Sequence, residues 1–361
     1  GFKALSTANF GTPTILDGTA NFQTTLYTGD GSVRNIDQTG NSTFQPDAVW
    51  IKNRSTTDDH MLIDAPRGLT KELNPNDARI QSTDANGVTS FDSDGFGLGT
   101  GAGGYNDDTE SFVAWQWLAG GGAGSSNEVG SINTITTTVN TAAGISIGTY
   151  IGTGANATVG HGLGVAPQMV IVREFERVQV WTVYHEGIAT DAATDYIYFD
   201  FNLAAGDDVL VWNDTAPTST VFSLGSSAVS NANTFTHVYY AFANIEGYSK
   251  FSNYTGNGVV DGPMVHTGFK PAFVIIKKTS GTGSWVMYDS QRSPYNEIED
   301  QLVVDAETAE TTGSEELDFL ANGFKIRTDD SDVNTSTGNY IYMAFAEYPF
   351  GGDGVTPATT F

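Results

Sequence analysis

The stretch KPAFVIIKKTSGTGSWVMYD, Lys270 to Asp289, decides the fold class of this 361-residue chain. Five apolar residues in a row are followed by a glycine-rich turn and by a second apolar run that begins at Trp285. A surface hairpin alternates apolar and polar residues, because successive side chains of a strand point to opposite faces. The continuous runs therefore predict two strands that are buried on both faces, and something must cover the second face.

The same unit occurs three times along the chain. It begins with a tag, which is YTGDG at Tyr27, YIGTG at Tyr150 and YTGNG at Tyr254. A proline follows each tag after 17 to 19 residues and opens an apolar strand that ends in a cation. These first strands are PDAVWIK from Pro46 to Lys52, PQMVIVR from Pro167 to Arg173 and PAFVIIK from Pro271 to Lys277. Such recurrence predicts three copies of one structural unit.

A second strand begins fourteen residues after each proline. The second strands are HMLID at His60, WTVYH at Trp181 and WVMYD at Trp285. Each copy ends in another apolar segment, FVAWQW up to Trp117, HVYYAF up to Phe242 and YIYMAF up to Phe345. In HVYYAF, Tyr239 and Phe242 fall on opposite faces of a strand, so these aromatic residues indicate core packing rather than a sugar-stacking platform. We expect Trp181 and Trp285 to be buried at equivalent places.

The copies define the predicted domains. We assign an N-terminal arm and β repeat 1 to residues 1–118, a Gly/Ser/Thr-rich linker to 119–144, β repeat 2 to 145–247, and β repeat 3 with a C-terminal tail to 248–361. The linker has almost no bulky apolar residue, so we expect an extended segment with few contacts. No such break separates repeats two and three. They are expected to form one rigid body, with repeat one apart from it.

Runs rich in β-branched and aromatic residues, bounded by Gly, Asn and Asp clusters, predict an all-β protein. Each repeat of about 100 residues is expected to form a β-sandwich of immunoglobulin-like or jelly-roll type, in tandem with the others. A closed assembly of the three repeats around a pseudo-threefold axis is the alternative. Helix signals are confined to two short segments, LTKELNPNDARIQ after Gly68 and NEIEDQLVVDAE after Tyr295.

The composition argues against several classes of partner. The 42 acidic and 16 basic residues give a formal charge of −26, which repels phosphate backbones and anionic lipid surfaces. Nucleic acid partners are therefore not expected, and because no apolar run approaches the length of a membrane span, neither is membrane insertion. There is no cysteine, which excludes disulfides and cysteine-ligated zinc. The first residues, GFKALSTANF, lack the pattern of a secretory signal.

The residue types that carry catalysis form no recognisable pattern. No two of the five histidines have a metal-ligand spacing, and we interpret His60 and His185 as surface or half-buried residues of the second strands. There is no GxSxG elbow and no phosphate-binding loop. A carboxylate pair for glycoside cleavage is defined by its separation in space, so the sequence favours no particular pair.

Two acidic loops are the best candidates for calcium binding. One contains Asp92 and Asp94, and the other contains Asp329, Asp330 and Asp332. Neither matches the twelve-residue calcium loop, and Asp residues also form ordinary turns by accepting hydrogen bonds from the nearby backbone. We therefore predict no catalytic, cofactor-binding or metal-binding residue, and no cofactor.

Seven motifs in a fixed order carry a family resemblance. They are PDAVWIKNRS from Pro46, SFDSDGFGLGT from Ser90, GHGLGVAPQMVIV from Gly160, WNDTAPTSTVFSLG from Trp212, EGYSKFSNYTGNG from Glu246, GFKPAFVIIK from Gly268 and NYIYMAFAEYPFGG from Asn339. Together they resemble a family of uncharacterised virion structural proteins of marine tailed bacteriophages, from about Phe22 to Gly352. The resemblance implies a tail or appendage component of the virion and supplies no catalytic residues. REFERVQVW from Arg173 departs from the family's KNRS-like turn, which affects local loop shape.

We therefore expect a non-enzymatic bacteriophage virion structural protein, a tail fibre or another appendage whose distal loops contact a host surface glycan. A capsid decoration (head cement) protein and a tail-spike glycan depolymerase are the alternatives. The expected partners are other virion proteins and copies of the same chain in a homo-oligomer such as a trimer. The expected location is the virion, after synthesis in the host cytoplasm and release by lysis. The second face of each first strand is expected to pack against a neighbouring repeat or a neighbouring subunit.

Overall fold

The computed structural model describes residues 14–101, 103–188, 191–313 and 316–348. These residues form antiparallel β-sheets with three one-turn α-helices and a short 3-10 helix, Gly18–Ala20. The prediction of an all-β sandwich protein is confirmed. No helix in these ranges has the length and apolar character that crossing a membrane requires.

The strands group into three lobes. Lobe 1 contains β1 (Phe22–Thr28), β2 (Arg34–Asp37), β3 (Ala48–Asn53), β4 (Met61–Asp64), β5 (Lys71–Glu72), β6 (Ser82–Thr83), β7 (Val88–Asp92), β8 (Gly95–Leu98) and β9 (Ser111–Trp117). Lobe 2 contains β10 (Thr134–Asn140), β11 (Ile145–Ile151), β12 (Ala157–Gly160), β13 (Met169–Glu174), β14 (Trp181–His185), β15 (Asp195–Tyr198), β16 (Gly206–Asp207), α1 (Val209–Trp212), β17 (Val221–Leu224), α2 (Ala228–Asn231) and β18 (Thr236–Phe242). Lobe 3 contains β19 (Ser249–Thr255), β20 (Met264–His266), β21 (Phe273–Lys278), β22 (Trp285–Asp289), β23 (Leu302–Val303), β24 (Leu317–Leu320), β25 (Gly323–Ile326), α3 (Ser331–Asn334) and β26 (Asn339–Phe345).

Each lobe packs a large sheet against a small one. The large sheets have the orders β1-β9-β3-β4, β10-β11-β18-β13-β14-β15-β16 and β19-β26-β21-β22-β23. The small sheets have the orders β2-β8-β7, β12-β17 and β20-β25-β24, and β5 pairs with β6. The registers agree as well: Ala48 lies opposite Trp117, Met169 opposite Phe242 and Phe273 opposite Phe345. We call residues that share a place in this pattern corresponding residues.

The second face of each first strand is covered by the other lobes. In β21, Val274 and Ile276 face the core of lobe 3, whereas Phe273 and Ile275 face a central core that all three lobes share. The first strands β3 and β13 alternate between two cores in the same way. A continuous apolar run thus fits because each face meets a different apolar environment. Burial on both faces is provided within one chain.

The shared core overturns the expectation that repeat one sits apart from repeats two and three. Phe22 of lobe 1 stacks on Phe345 of lobe 3 with ring centroids 5.2 Å apart, and Trp50 contacts Phe199 of lobe 2 at 5.8 Å. The predicted burial of Trp181 and Trp285 is confirmed, since each is 1% exposed. The three large sheets enclose the central core as the walls of a closed ring.

The predicted linker, residues 119–144, is not an extended segment with few contacts. It contains β10, which pairs with β11, and Ser125 bridges to Thr137. Asp47 accepts a hydrogen bond from the amide of Gly121 at 2.8 Å. The prediction was wrong because the threonines of this segment are β-branched and add a strand to the large sheet of lobe 2.

Neither predicted helical segment is helical. Leu73 bridges to Leu62 of β4, and Leu302 pairs with Met287 of β22. Both leucines are buried in the central core; the segment of lobe 3 adds the edge strand β23 to its large sheet, and that of lobe 1 makes a single bridge to β4. Tertiary packing overrides the weak local helix preference.

Candidate functional site

Each contact between two lobes, which we call a seam, is crossed by a hydrogen bond from the first residue of a second strand. Trp181 Nε1 donates to the carbonyl of Asn74 in lobe 1 at 2.8 Å. Trp285 Nε1 donates to the carbonyl of Tyr198 in lobe 2 at 2.8 Å. The indole buries a large apolar ring and still satisfies its N–H at the seam.

Lobe 1 has a histidine at the corresponding place. His60 Nδ1 accepts from Trp50 Nε1 at 2.9 Å, so Nε2 carries the proton and donates to the carbonyl of Val303 in lobe 3 at 2.9 Å. The three bonds run from lobe 1 to lobe 3, from lobe 3 to lobe 2 and from lobe 2 to lobe 1. They close the ring.

A buried cation stands at the end of each first strand. Lys52, Arg173 and Lys277 are 0% exposed, and each donates to a backbone carbonyl of another lobe. The acceptors are the carbonyls of Glu307, Arg79 and Leu203, respectively. Burial lowers the pKa of Lys52 and of Lys277 to about 8, and that of Arg173 to about 10. Hydrogen bonds to carbonyl dipoles offset part of the cost of burying these groups.

The last residue of a second strand crosses to the other neighbouring lobe. Asp64 of lobe 1 accepts from Tyr240 Oη of lobe 2 at 2.5 Å, and Asp289 of lobe 3 accepts from Trp115 Nε1 of lobe 1 at 3.1 Å. Both carboxylates are 0% exposed and also bind an arginine of their own lobe. Buried charges of this kind need several partners to be tolerated.

Lobe 2 has His185 at the place of these aspartates, and its neighbour supplies no side-chain donor. Met343 of lobe 3 corresponds to Tyr240 and Trp115, and a thioether has no proton to donate. His185 Nδ1 accepts from the amide of Gly187 at 3.0 Å, and Nε2 donates to the carbonyl of Tyr342 at 3.2 Å. At two seams an aspartate therefore faces a side-chain donor, and at the third a histidine faces a thioether that cannot donate.

The tags form a lock between strands within each lobe. Tyr254 Oη donates to the carbonyl of Val333 at 2.7 Å. Asn334, the next residue, accepts from the amide of Asn257 at 2.8 Å and donates to the carbonyl of Val259 at 2.8 Å. Tyr150 with Asn231 and Tyr27 with Asn106 make the same two kinds of bond in the other lobes. We call this arrangement the tag lock.

The tag glycine is required by the tag lock. A Cβ added at Gly256 would lie 2.4 Å from the carbonyl oxygen of Thr335, and one at Gly152 would lie 2.3 Å from that of Ala232. Any side chain would push the two backbone segments apart. The tag is therefore a structural element of each lobe.

Most of the histidines serve the fold. His60, His161, His185 and His237 are buried and bonded to backbone groups. Burial lowers the pKa of His60 and His237 to about 3 and that of His185 to about 4, so these rings are neutral at physiological pH. The interpretation of His60 and His185 as surface or half-buried residues was wrong, because both close the seams.

The two acidic loops considered for calcium act as turns. Asp330 caps α3 by accepting from the amide of Asp332 at 2.7 Å, and Asp92 accepts from Ser90 Oγ at 3.0 Å. The Asp330 bond is usual for aspartate in turns, whereas Asp92 ends β7 and bonds within its own strand. The prediction that these loops contain no metal ligands is therefore unchanged.

A different group of carboxylates, not singled out by the sequence, lies close together in lobe 1. Oxygen atoms of Asp58, Asp107 and Glu110 all lie within 4.8 Å of one another. Asn53 Nδ2 donates to Asp58 at 2.7 Å and also to Glu110, and Asp107 accepts from the amide of Gly104 at 2.9 Å. These donors already stabilise the carboxylates, so proximity alone does not indicate a metal site.

Comparison with protein families matches the chain to the Domain of unknown function (DUF7483) over residues 17–349. The chain belongs to this family. No curated protein and no solved structure matches it. The DUF7483 match extends from lobe 1 to lobe 3, so the family unit is the whole closed ring rather than a single lobe.

Three carboxyl groups of the DUF7483 ring have strongly shifted pKa values. Burial raises the pKa of Asp200, Glu316 and Glu347 to about 7 in each case. They lie in separate places: Asp200 accepts from the amide of Trp181, Glu316 from Gln301 Nε2, and Glu347 from Gln291 Nε2. Each is held by structural hydrogen bonds, and they do not converge on one catalytic centre.

Proposed function

We propose that the DUF7483 chain is a non-enzymatic structural protein of a bacteriophage virion, a tail fibre or a similar appendage. The observation that supports the proposal most strongly is that the buried polar groups bond one lobe to another. The seam histidines, the strand-end cations and the seam aspartates all bond to a neighbouring lobe, so they hold a rigid ring together. A body stabilised in this way does not need disulfides to work outside the cell. The resemblance of the seven motifs points in the same direction.

The proposal includes other virion proteins and further copies of the chain as partners, and a host surface glycan as a ligand. Self-association, for example as a trimer, no longer rests on the apolar first strands, because neighbouring lobes cover them. Light scattering of the purified chain would measure the oligomeric state directly. A monomer at all concentrations would remove the homo-oligomer from the proposal.

Mass spectrometry of virus particles purified by density gradient tests the main proposal. We expect peptides of this chain in the particle fraction at a stoichiometry comparable with other structural proteins. Their absence from intact particles would overturn the proposal. Gold-labelled antibody fragments would then place the chain, since labelling at the tail supports an appendage and labelling at every capsomer supports the alternative of a head decoration protein.

The alternative of a glycan depolymerase needs its own assay. Purified chain is incubated with host surface polysaccharide, and new reducing ends are measured against a heat-denatured sample. We expect no release above that control, because the strongly shifted carboxyl groups lie apart and are held by structural bonds. Release of reducing ends would overturn the assignment as a non-enzyme.

A further inference from the structure

Three aromatic side chains form a row on the outer part of the large sheet of lobe 2. Tyr196 and Tyr198 lie two residues apart in β15, so they share a face, and their ring centroids are 5.1 Å apart. Phe201 continues the row, with its centroid 6.1 Å from that of Tyr198. Phe201 is 42% exposed, and both tyrosines are half-buried. We call these three residues the aromatic stripe.

One end of the aromatic stripe is fixed by a glycine. Gly206 of β16 lies opposite Tyr196, and a Cβ there would be 2.6 Å from Cζ of the tyrosine ring. The ring therefore rests directly against the backbone of β16. A ring held in this way loses little conformational entropy when a ligand binds to it.

The other two lobes show that the fold does not require aromatic residues at these places. Ile197 pairs with Val183 just as Leu302 pairs with Met287 and Leu73 bridges to Leu62, which fixes the correspondence. In place of Tyr196, Tyr198 and Phe201, lobe 1 has Glu72, Asn74 and Asp77, and lobe 3 has Gln301, Val303 and Ala306. Tyr196 also packs against the core of lobe 2, but partly exposed aromatic rings at these places in one lobe alone indicate a contact surface.

The charges around the aromatic stripe narrow the class of ligand. Asp195 and Asp207 pair with each other and lie on the opposite face, whereas Asp208, two residues after Gly206, is close enough for its charge to add to burial in raising the pKa of Tyr198. Ionised carboxylates only accept hydrogen bonds, so they suit ligands rich in hydroxyl groups and repel anions. Sugars combine hydroxyl donors with ring faces made of C–H groups, which stack on aromatic rings.

We propose that the aromatic stripe binds a neutral glycan chain, with consecutive sugar rings stacked on Tyr196, Tyr198 and Phe201. Asp208, whose Oδ1 accepts from the amide of Leu210, accepts a hydrogen bond from one of its hydroxyl groups. The ring planes are tilted by 54° and 64° from one to the next, so the surface fits a single twisted chain better than the flat face of a crystalline polymer. This inference rests on the proposed function, in which a host surface glycan is a ligand, and locates that contact in lobe 2.

The test replaces the aromatic stripe by residues that the same fold already has in lobe 3. The triple variant Tyr196→Gln, Tyr198→Val, Phe201→Ala takes the side chains of Gln301, Val303 and Ala306. Tyr295→Ala is the matched control, because Tyr295 is an aromatic residue 82% exposed outside the stripe. Isothermal titration calorimetry with cellohexaose and with chitohexaose measures neutral glycan binding, and hyaluronan oligosaccharide serves as the anionic probe.

The full-length wild type is expected to bind a neutral oligosaccharide and to prefer it to hyaluronan. The triple variant should bind it about tenfold more weakly or worse, as for the loss of aromatic residues at binding hot spots, and the control should bind like the wild type. Circular dichroism checks that each variant is folded. If the triple variant does not fold, Phe201→Ala alone is compared, since its side chain is substantially exposed.

Four results would overturn the inference. In the first, the wild type binds neither neutral probe, and in the second, the wild type and the folded triple variant bind equally well. In the third, the wild type prefers hyaluronan. In the fourth, it is retained on crystalline cellulose or chitin but binds no soluble oligosaccharide. Self-association that the triple variant abolishes, without any glycan binding, would assign the stripe to contacts between copies instead. The glycan-binding inference and the proposed virion role can fail separately. If virus particles contain the chain but the aromatic stripe binds no glycan, only the glycan-binding inference is refuted. Glycan binding by a chain absent from particles refutes the virion role alone.

Discussion

Glu316 shows how a single buried carboxyl makes the stability of this ring depend on pH. Tyr288 Oη and Gln301 Nε2 both donate to the same carboxylate oxygen, Oε2. Burial raises the pKa of Glu316 from 4.5 to about 7. Because the folded pKa lies above the unfolded one, the protonated form favours folding. This contribution is complete below pH 4.5 and is lost as the pH rises to about 7.

Glu316→Gln should therefore stabilise the protein above neutral pH. The amide oxygen keeps an acceptor for Tyr288 and Gln301 and never ionises. We expect a free energy of unfolding about 1 to 3 kcal/mol above wild type at pH 8, and a difference near zero at pH 5. Urea titrations at both pH values measure it, with the exposed Glu299→Gln as control. A difference that is the same at pH 5 and pH 8 would contradict the assignment.

The strand-end cations differ from Glu316, because removing a cation leaves backbone carbonyls without their hydrogen-bond donor. Lys277 Nζ donates to the carbonyls of Leu203 and Lys278 at 2.8 and 2.7 Å. Lys277→Met keeps the apolar stem but leaves both carbonyls without this donor, so we expect a loss of about 2 kcal/mol. Lys278→Met is the matched control, because it removes only a bond to Thr335 Oγ1 and should cost less than about 1 kcal/mol. Equal thermal stability of the two variants would show that the seam does not need the cation.

At the scale of elements, the tag lock ties a loop to a one-turn helix that is too short to be stable alone. Asn334 Nδ2 donates to the carbonyls of Val259 and Thr328, while its Oδ1 accepts from the amide of Asn257. Asn334 is 0% exposed, and Asn334→Ala removes all three of these hydrogen bonds, so we expect a loss of about 2 to 4 kcal/mol. Hydrogen exchange at Asn257 should accelerate as well.

The exposed Asn322→Ala is the control for the tag lock, because its side chain lies in the turn between β24 and β25. It should change neither the melting temperature nor the exchange of Asn257. If Asn334→Ala melts like wild type, the tags are held by Tyr254 and the backbone alone. The same comparison applies to Asn231 in lobe 2.

The sequence predicted some elements of this ring and missed others for a physical reason. The continuous apolar run of β21 is visible in the sequence, and it predicts that both faces of this strand are buried. Whether the second cover belongs to the same chain is a property of tertiary contacts, so it stayed open. Asn106, Asn231 and Asn334 were missed because they lie outside the strands, although each stands five residues before the last strand of its lobe, a spacing that was available as a signal.

The seams were also beyond the sequence. Strand residues such as His60 and His185 have no pattern that separates a surface histidine from one that donates across a seam. Only the packing of one lobe on another supplies their carbonyl partners. The aromatic segment HVYYAF, by contrast, was correctly interpreted as core, because its apolar residues occupy both faces of the strand.

At the scale of the whole molecule, the three lobes meet around a small defect. An apolar cavity of about 30 Å³ in the central core is lined by residues of all three lobes, among them Trp50, Trp181 and Met343. It adjoins Ala48, whereas the corresponding residues of the other lobes are Met169 and Phe273. The cavity thus exists where lobe 1 contributes the smallest side chain.

Ala48→Val adds two methyl carbons to the side chain that borders this cavity and so fills it. We expect a gain of about 1 kcal/mol, since unfilled core volume forgoes contacts on all sides. Because the cavity belongs to a core shared by the three lobes, differential scanning calorimetry should show a single transition moving as a whole to higher temperature. Ala114→Val is the matched control, because Ala114 faces only the core of lobe 1, where extra atoms overpack and should lower stability. A split endotherm, or a shift in only part of it, would mean that the lobes unfold separately and that the ring is not one cooperative unit.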